Sequence, residues 1–146
     1  MEPRIPKYVP AVNATVKFFA GLGVKTGPVN ILTVSGRKSG RSRSTPVTPW
    51  VVDGKRYIIA AIGTSDWALN ARAAGEGTLA SGRDSRRVRL AEVTDPELKK
   101  HVVTDFGTRN KAGGGFLVQA GVAPERTPDG FAAAAGHATV FEVTPA

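Results

Sequence analysis

Asp53-Gly54 stands between two apolar runs, and few dipeptides close a two-residue hairpin so readily. A hairpin there commits the flanking segments to antiparallel pairing, which argues against a doubly wound parallel sheet. Upstream, residues 30–35 read as one strand and residues 44–52 as a second. Pro46 and Pro49 assign that second strand to an edge or a bulge, because proline cannot donate to a ladder. Downstream, residues 56–62 are almost wholly apolar after Arg56 and are expected to be buried on both faces. Another hairpin joins residues 77–81 to residues 86–93 around Gly82-Arg83-Asp84, and residues 138–143 form a closing strand. In the 86–93 strand Val88 and Leu90, with Glu92, share one face, while Arg87, Arg89 and Ala91 share the other.

Helical signals fall between these strands. Ser65 is placed to cap a helix over residues 66–74, which has an alanine-rich interior and a stop at Gly75. Thr94-Asp95-Pro96-Glu97 has capping-box spacing and opens a helix over residues 95–106. Near the N-terminus, residues 1–10 hold three prolines and read as an extended arm. Residues 11–22 can form a short helix with Val12, Val16, Phe19 and Ala20 on one face, and Asn13 can cap a shorter version. Residues 107–136 are rich in glycine, alanine and proline and show no clear period; residues 116–118 and 131–135 fit a short strand or a helical turn. The order is helix, three strands, helix, two strands, helix, loop, strand. That is an α+β class, with about six mostly antiparallel strands, enough to curl into a small barrel.

With 146 residues the chain is expected to form a single domain with a substantial core. There is no cysteine, so disulfides and thiolate metal sites are excluded. His101 and His137 lie far apart and lack ligand spacing, and no metal is expected. No apolar run reaches the roughly 20 residues of a membrane span, and the N-terminus lacks a secretory pattern, so the expected location is cytoplasmic. The residue 11–22 helix leaves peripheral membrane contact as an alternative to core covering, although Lys17 alone on its polar face is thin for that role. Formal net charge is +8, with a pI near 10.3, and the cations cluster at residues 37–43 and again at residues 83–89. Clustering of this kind points to an anionic ligand more than to general solubility.

The first cluster, Gly36-Arg37-Lys38-Ser39-Gly40-Arg41-Ser42-Arg43, is a turn between two strands. Its cations and hydroxyls, with amides freed by Gly36 and Gly40, can converge on phosphate or carboxylate oxygens; a solvated basic turn is the alternative. It is not a Walker loop, because the spacing fails and a strand follows instead of a helix. The Rossmann glycine fingerprint and the Gly-x-Ser-x-Gly elbow are both absent. Nucleic acid is disfavoured, since aromatics are sparse and none alternates with arginine along a strand. Trp67 and Asn70 sit three apart on the 66–74 helix and face one side. Taken alone they would be a core plug and a solvent residue or cap. Yet that helix follows a buried strand, and its N-terminus carries partial positive charge toward the end of the sheet where the basic turn can lie.

Taken together, Gly36-Arg37-Lys38-Ser39-Gly40-x-x-Arg43-x-x-Pro46, the Ile-Ile-Ala-Ala strand at residues 58–61 and Trp67-x-x-Asn70 resemble the deazaflavin (cofactor F420)-dependent nitroreductase and quinone reductase family. The resemblance spans roughly residues 28–94. It implies a split β-barrel related to FMN-binding flavin reductases, residues 1–28 supplying an arm and short helix and residues 30–143 the barrel with its inserted helices. It also implies cofactor contacts at Arg37, Lys38 and Ser39; at Arg43, Ser44, Thr45, Pro46, Val47 and Thr48; at Ala60, Ala61, Ile62 and Gly63; and at Trp67, Ala68, Leu69 and Asn70. The implied activity is hydride transfer from reduced F420 to a quinone, a nitroaromatic, or a conjugated enone or lactone. Thr48 and Ser65 are the candidate proton donors, and a monomer is the expected state. The chain departs from the family in a shortened link at Ile62-Gly63-Thr64-Ser65. Its C-terminal part also lacks the tyrosines that line the family's substrate pocket, with Tyr8 and Tyr57 the only two in the chain. The rival readings are an FMN- or haem-binding split-barrel protein, with FMN the runner-up cofactor, and a non-catalytic carrier of a cofactor or fatty acid.

Overall fold

The computed structural model describes residues 29–146; the extended arm and the residue 11–22 helix lie outside them. Seven strands are all antiparallel to their neighbours: β1 (Asn30–Ser35), β2 (Ser42–Val47), β3 (Trp50–Val52), β4 (Lys55–Ala60), β5 (Glu76–Ser81), β6 (Asp84–Glu92) and β7 (Thr139–Pro145). They form one sheet in the order β2-β1-β5-β6-β7-β4-β3. Four helices accompany it: α1 (Asp66–Ala74), α2 (Pro96–Arg109), α3 (Lys111–Gln119) and α4 (Pro128–Ala134).

The expected strand at residues 44–52 is two strands. Thr48-Pro49 interrupts the ladder, and the short link carries the chain from β2, at one end of the sheet, to β3, at the other. A two-residue connection between opposite edges requires the sheet to curl on itself. Val47 of β2 and Ile58 of β4 accordingly share one apolar cluster although four strands lie between them in the ladder order. The result is a split β-barrel. The edge assignment made from Pro46 and Pro49 holds for both strands. Asp53 and Gly54 take φ values of 51° and 78°, the left-handed pair that a tight hairpin needs.

Burial on both faces of β4 is visible in consecutive residues. Tyr57 packs into a core with α2, α3 and α4, whereas Ile58 packs into the barrel interior with Leu32, Leu90 and Phe141. Helix α1 contributes Ala71 to the interior cluster, and Trp67 packs against it. Its stop at Gly75 is as expected, with φ 70° and the amide bonded to Ala71. The cap of α2 is Asp95 instead of Thr94; its carboxylate accepts from the Glu97 amide at 3.0 Å.

The stretch 107–136, unreadable in sequence, is mostly helical. Its small residues allow close helix packing: a Cβ on Gly107 would meet the Phe131 ring, and one on Gly113 the Phe106 ring. Asn110 and Thr127 cap α3 and α4, accepting from the amides of Gly113 and Gly130.

Candidate functional site

The basic turn leaves β1 and enters β2. Gly36 donates its amide to the Arg41 carbonyl at 2.8 Å, and Gly40, at φ 71°, donates to the Gly36 carbonyl at 2.9 Å. The Ser39 hydroxyl accepts from the Arg41 amide at 3.2 Å. These amides therefore hold the turn's own shape and are not free for an anion, contrary to expectation. The turn's side chains remain available: Lys38, Arg41 and Arg43 are exposed and form no ion pair among the described residues.

Arg37 behaves differently from its neighbours. Its guanidinium donates to the Asn70 side-chain oxygen at 2.7 Å, to the Asp66 carbonyl at 3.4 Å and to the Asp66 carboxylate at 3.3 Å. Its backbone amide donates to the same Asn70 oxygen at 3.1 Å. Asn70 is only 6% exposed, so it is neither a solvent residue nor a cap but the peg that fastens the turn to α1. The basic turn and the first turn of α1 thus adjoin. The ion pair with Asp66, whose side chain is 91% exposed, adds little by itself; the buried amide oxygen carries the join.

The link into α1 is braced by the start of β7 and the residues just before it. Gly63 donates its amide to the His137 carbonyl at 2.7 Å, and its carbonyl accepts from the Thr139 hydroxyl at 3.1 Å. Arg72 reaches that hydroxyl at 3.3 Å and grips Glu92 through two bonds of 2.8 and 3.0 Å. No side chain fits at Gly63, where a Cβ would lie 2.5 Å from the Thr139 hydroxyl. Arg72, Glu92 and Thr139 were missed in the sequence. The available signal was Glu92 on the same face as Val88 and Leu90, where a carboxylate needs a cationic partner.

Other expected residues sort by exposure. Ala68 is fully buried, and Val47, Ala60 and Ala61 nearly so, which leaves their backbone as the part able to face a ligand. Ser44 and Thr45 lie on β2, where the Ser44 hydroxyl bonds that of Thr33 at 2.8 Å. Pro46 pairs with Ile31 on the same edge strand. Thr48 and Ile62 are half-buried, as is Leu69. Trp67 lies at 6.3 Å from the Phe141 ring, tilted against it, and remains half-buried. Ser65 occupies the N-cap position but makes no capping bond; its buried hydroxyl oxygen has no hydrogen-bond partner.

A family described as F420H(2)-dependent quinone reductase matches residues 9–111. No curated protein matches the chain. Among solved structures, HutZ, the heme storage protein from Vibrio cholerae, is similar with a TM-score of 0.55 at 11% identity, covering 91% of this chain and 89% of that one. A putative pyridoxamine 5'-phosphate oxidase from Listeria innocua gives a TM-score of 0.52 at 10% identity, covering 92% and 93%. The protein Atu2129, of unknown function, from Agrobacterium tumefaciens gives 0.53 at 15% identity; it covers 99% of this chain, which spans 59% of the length of Atu2129. At such identities the likeness is one of fold.

Proposed function

Because this chain belongs to the F420H(2)-dependent quinone reductase family, we propose that it passes hydride from reduced F420 to an electron-poor acceptor such as a quinone, nitroaromatic, or conjugated enone or lactone. The observation that carries the reading is the Arg37–Asn70 join, which brings the basic turn against the start of α1 and so sets two sequence-distant motifs side by side.

The residues present fit an anionic, planar cofactor. Lys38, Arg41 and Arg43 offer unpaired cations for a phosphate and carboxylate tail, and the backbone of residues 60–63 with Trp67 offers a largely apolar wall for a ring. The buried, unpartnered Ser65 hydroxyl stands at the N-terminus of α1, where a ligand's polar atom would satisfy it. When bound, F420 supplies the hydride chemistry. The chain's part is to orient the ring, exclude water and hold a proton near the acceptor, with the Ser65 and Thr48 hydroxyls as the candidates for the last role. Among the described residues no helix is long and apolar enough to cross a membrane. We favour a monomer in the cytoplasm.

Titration of the purified protein with F420, FMN and haem tests the cofactor. Oxidation of reduced F420 by menadione or a nitroaromatic tests the reaction. Saturable F420 binding with turnover is expected. Failure to bind F420 at tens of micromolar would overturn the reading, and FMN or haem binding would then replace it. Binding without turnover would leave a carrier.

A further inference from the structure

At the end of the barrel away from α1, a cavity of about 780 Å³ opens among β4, β5, β6 and β7, within the range typical of small-molecule sites. From Asn30, at its rim, β1 runs its length of about 20 Å to the basic turn, so the two regions are separate. Alternation along the strands explains the lining. Leu79, Val88 and Val143 face the barrel interior. Arg86 is the register partner of Leu79 and Arg56 that of Val143, so both arginines occupy the same inward-facing rows as the leucine and valines.

Two arginines at inward positions of interior strands call for a reason. Charges placed inward can protect a sheet edge, and Arg86 precedes the β6–β7 ladder, which begins at Val88; Arg56, however, has a register partner on both sides, Val51 and Val143. Nor are they consumed by salt bridges. Lys55 is paired with Glu142 at 3.5 Å and Arg87 with Glu76 at 3.2 Å, whereas Arg56 and Arg86 are exposed and form no ion pair among the described residues. The lining holds four cations against two carboxylates, Asp84 and Glu142.

We propose that this cavity is a second binding site, selective for a small amphipathic acid. Its anionic head lies between Arg56 and Arg86, and its apolar body lies on Leu79, Val88 and Val143. The guanidinium groups suit carboxylate, sulfonate or phosphate oxygens. This site is independent of the hydride-transfer reading and of which cofactor that reading requires.

The probe pair is 8-anilinonaphthalene-1-sulfonate and the uncharged N-phenyl-1-naphthylamine, which carry the same ring system with and without the acid. Fluorescence titration should show the sulfonate binding at least about tenfold tighter, and Arg56→Gln/Arg86→Gln should abolish that preference while F420 affinity stays unchanged. Equal binding of the two probes, full retention by the double variant, or displacement of the sulfonate by F420 would each overturn the proposal. A measurement on the unaltered protein guards against a misfolded variant. Amide shifts on adding the sulfonate should fall on residues 54–56, 79–88 and 142–145, and shifts confined to residues 36–70 would refute the site. Titration with 1-naphthoate and 1-naphthyl phosphate then distinguishes a carboxylate from a phosphate head.

Discussion

Two neighbouring cations in one turn have different work, and Arg37 and Arg43 make the point. Arg37 is bound up with Asn70 and Asp66, whereas Arg43 projects from β2 with no such partner among the described residues. Arg43→Ala is therefore expected to weaken F420 binding by roughly tenfold or more, from the loss of charge-assisted contacts, and to leave the melting temperature unchanged. Asn70→Ala strips the acceptor from two Arg37 donors and should cost about 1–3 kcal/mol in a urea melt as well as binding. Equal stability of the two variants would remove the clamp. Thr139 is a second case. Thr139→Val keeps the shape but leaves the Gly63 carbonyl without its hydroxyl partner, at a cost of about 1–3 kcal/mol, and loosens the 60–65 link. Thr139→Ser, which restores the hydroxyl, should recover F420 affinity, and failure to do so would assign the effect to packing.

Among the elements, those with a local code were legible and those made by tertiary contact were not. Asp53-Gly54 announced its hairpin, Gly75 its helix stop, and the apolar 57–60 run its burial, because each depends on neighbours in sequence. The break at Thr48-Pro49 was hidden because its cause is closure of the barrel, a long-range demand. Three successive glycines in α3 argue against a helix by about 1 kcal/mol each. The helix forms because Gly113 and Gly114 are seats for Phe106 and Phe131, and sequence shows no seat without its occupant. Gly114→Ala should thus destabilise the protein, since its Cβ would meet the Gly107 carbonyl at 2.5 Å. At Gly115, where only the end of the Arg126 side chain comes within 3.3 Å, alanine should be neutral or stabilise by about 0.5–1 kcal/mol. Chemical denaturation of the pair checks the sign difference.

At the scale of the whole molecule, one sheet separates two apolar cores. The barrel interior holds Ile58, Phe141 and their neighbours, and the outer layer holds Tyr57, Val140 and the three helices α2, α3 and α4. The meeting of the basic turn with α1 was legible because its two halves carry recognisable residues, Arg37 to Arg43 and Trp67 to Asn70. The brace behind it was not, because Arg72, Glu92 and Thr139 come from three elements and carry no motif. Positive charge, too, is divided: one cluster lies at the α1 end of the barrel, and the inward arginines lie at the other.

The chain's two tryptophans fall on opposite sides of this sheet. Trp67 rests on Phe141 at the barrel interior, while Trp50 donates its indole N–H to Asp105 at 2.8 Å and meets the Phe106 ring edge-on at 5.7 Å in the outer layer. The protein therefore carries its own optical gauge. A chromophore settling at the candidate site beside α1 should quench the emission of Trp67 more strongly than that of Trp50, so Trp50→Phe should keep most of the ligand-dependent change and Trp67→Phe should lose most of it. A reversed result would move the chromophore to the helical side of the sheet.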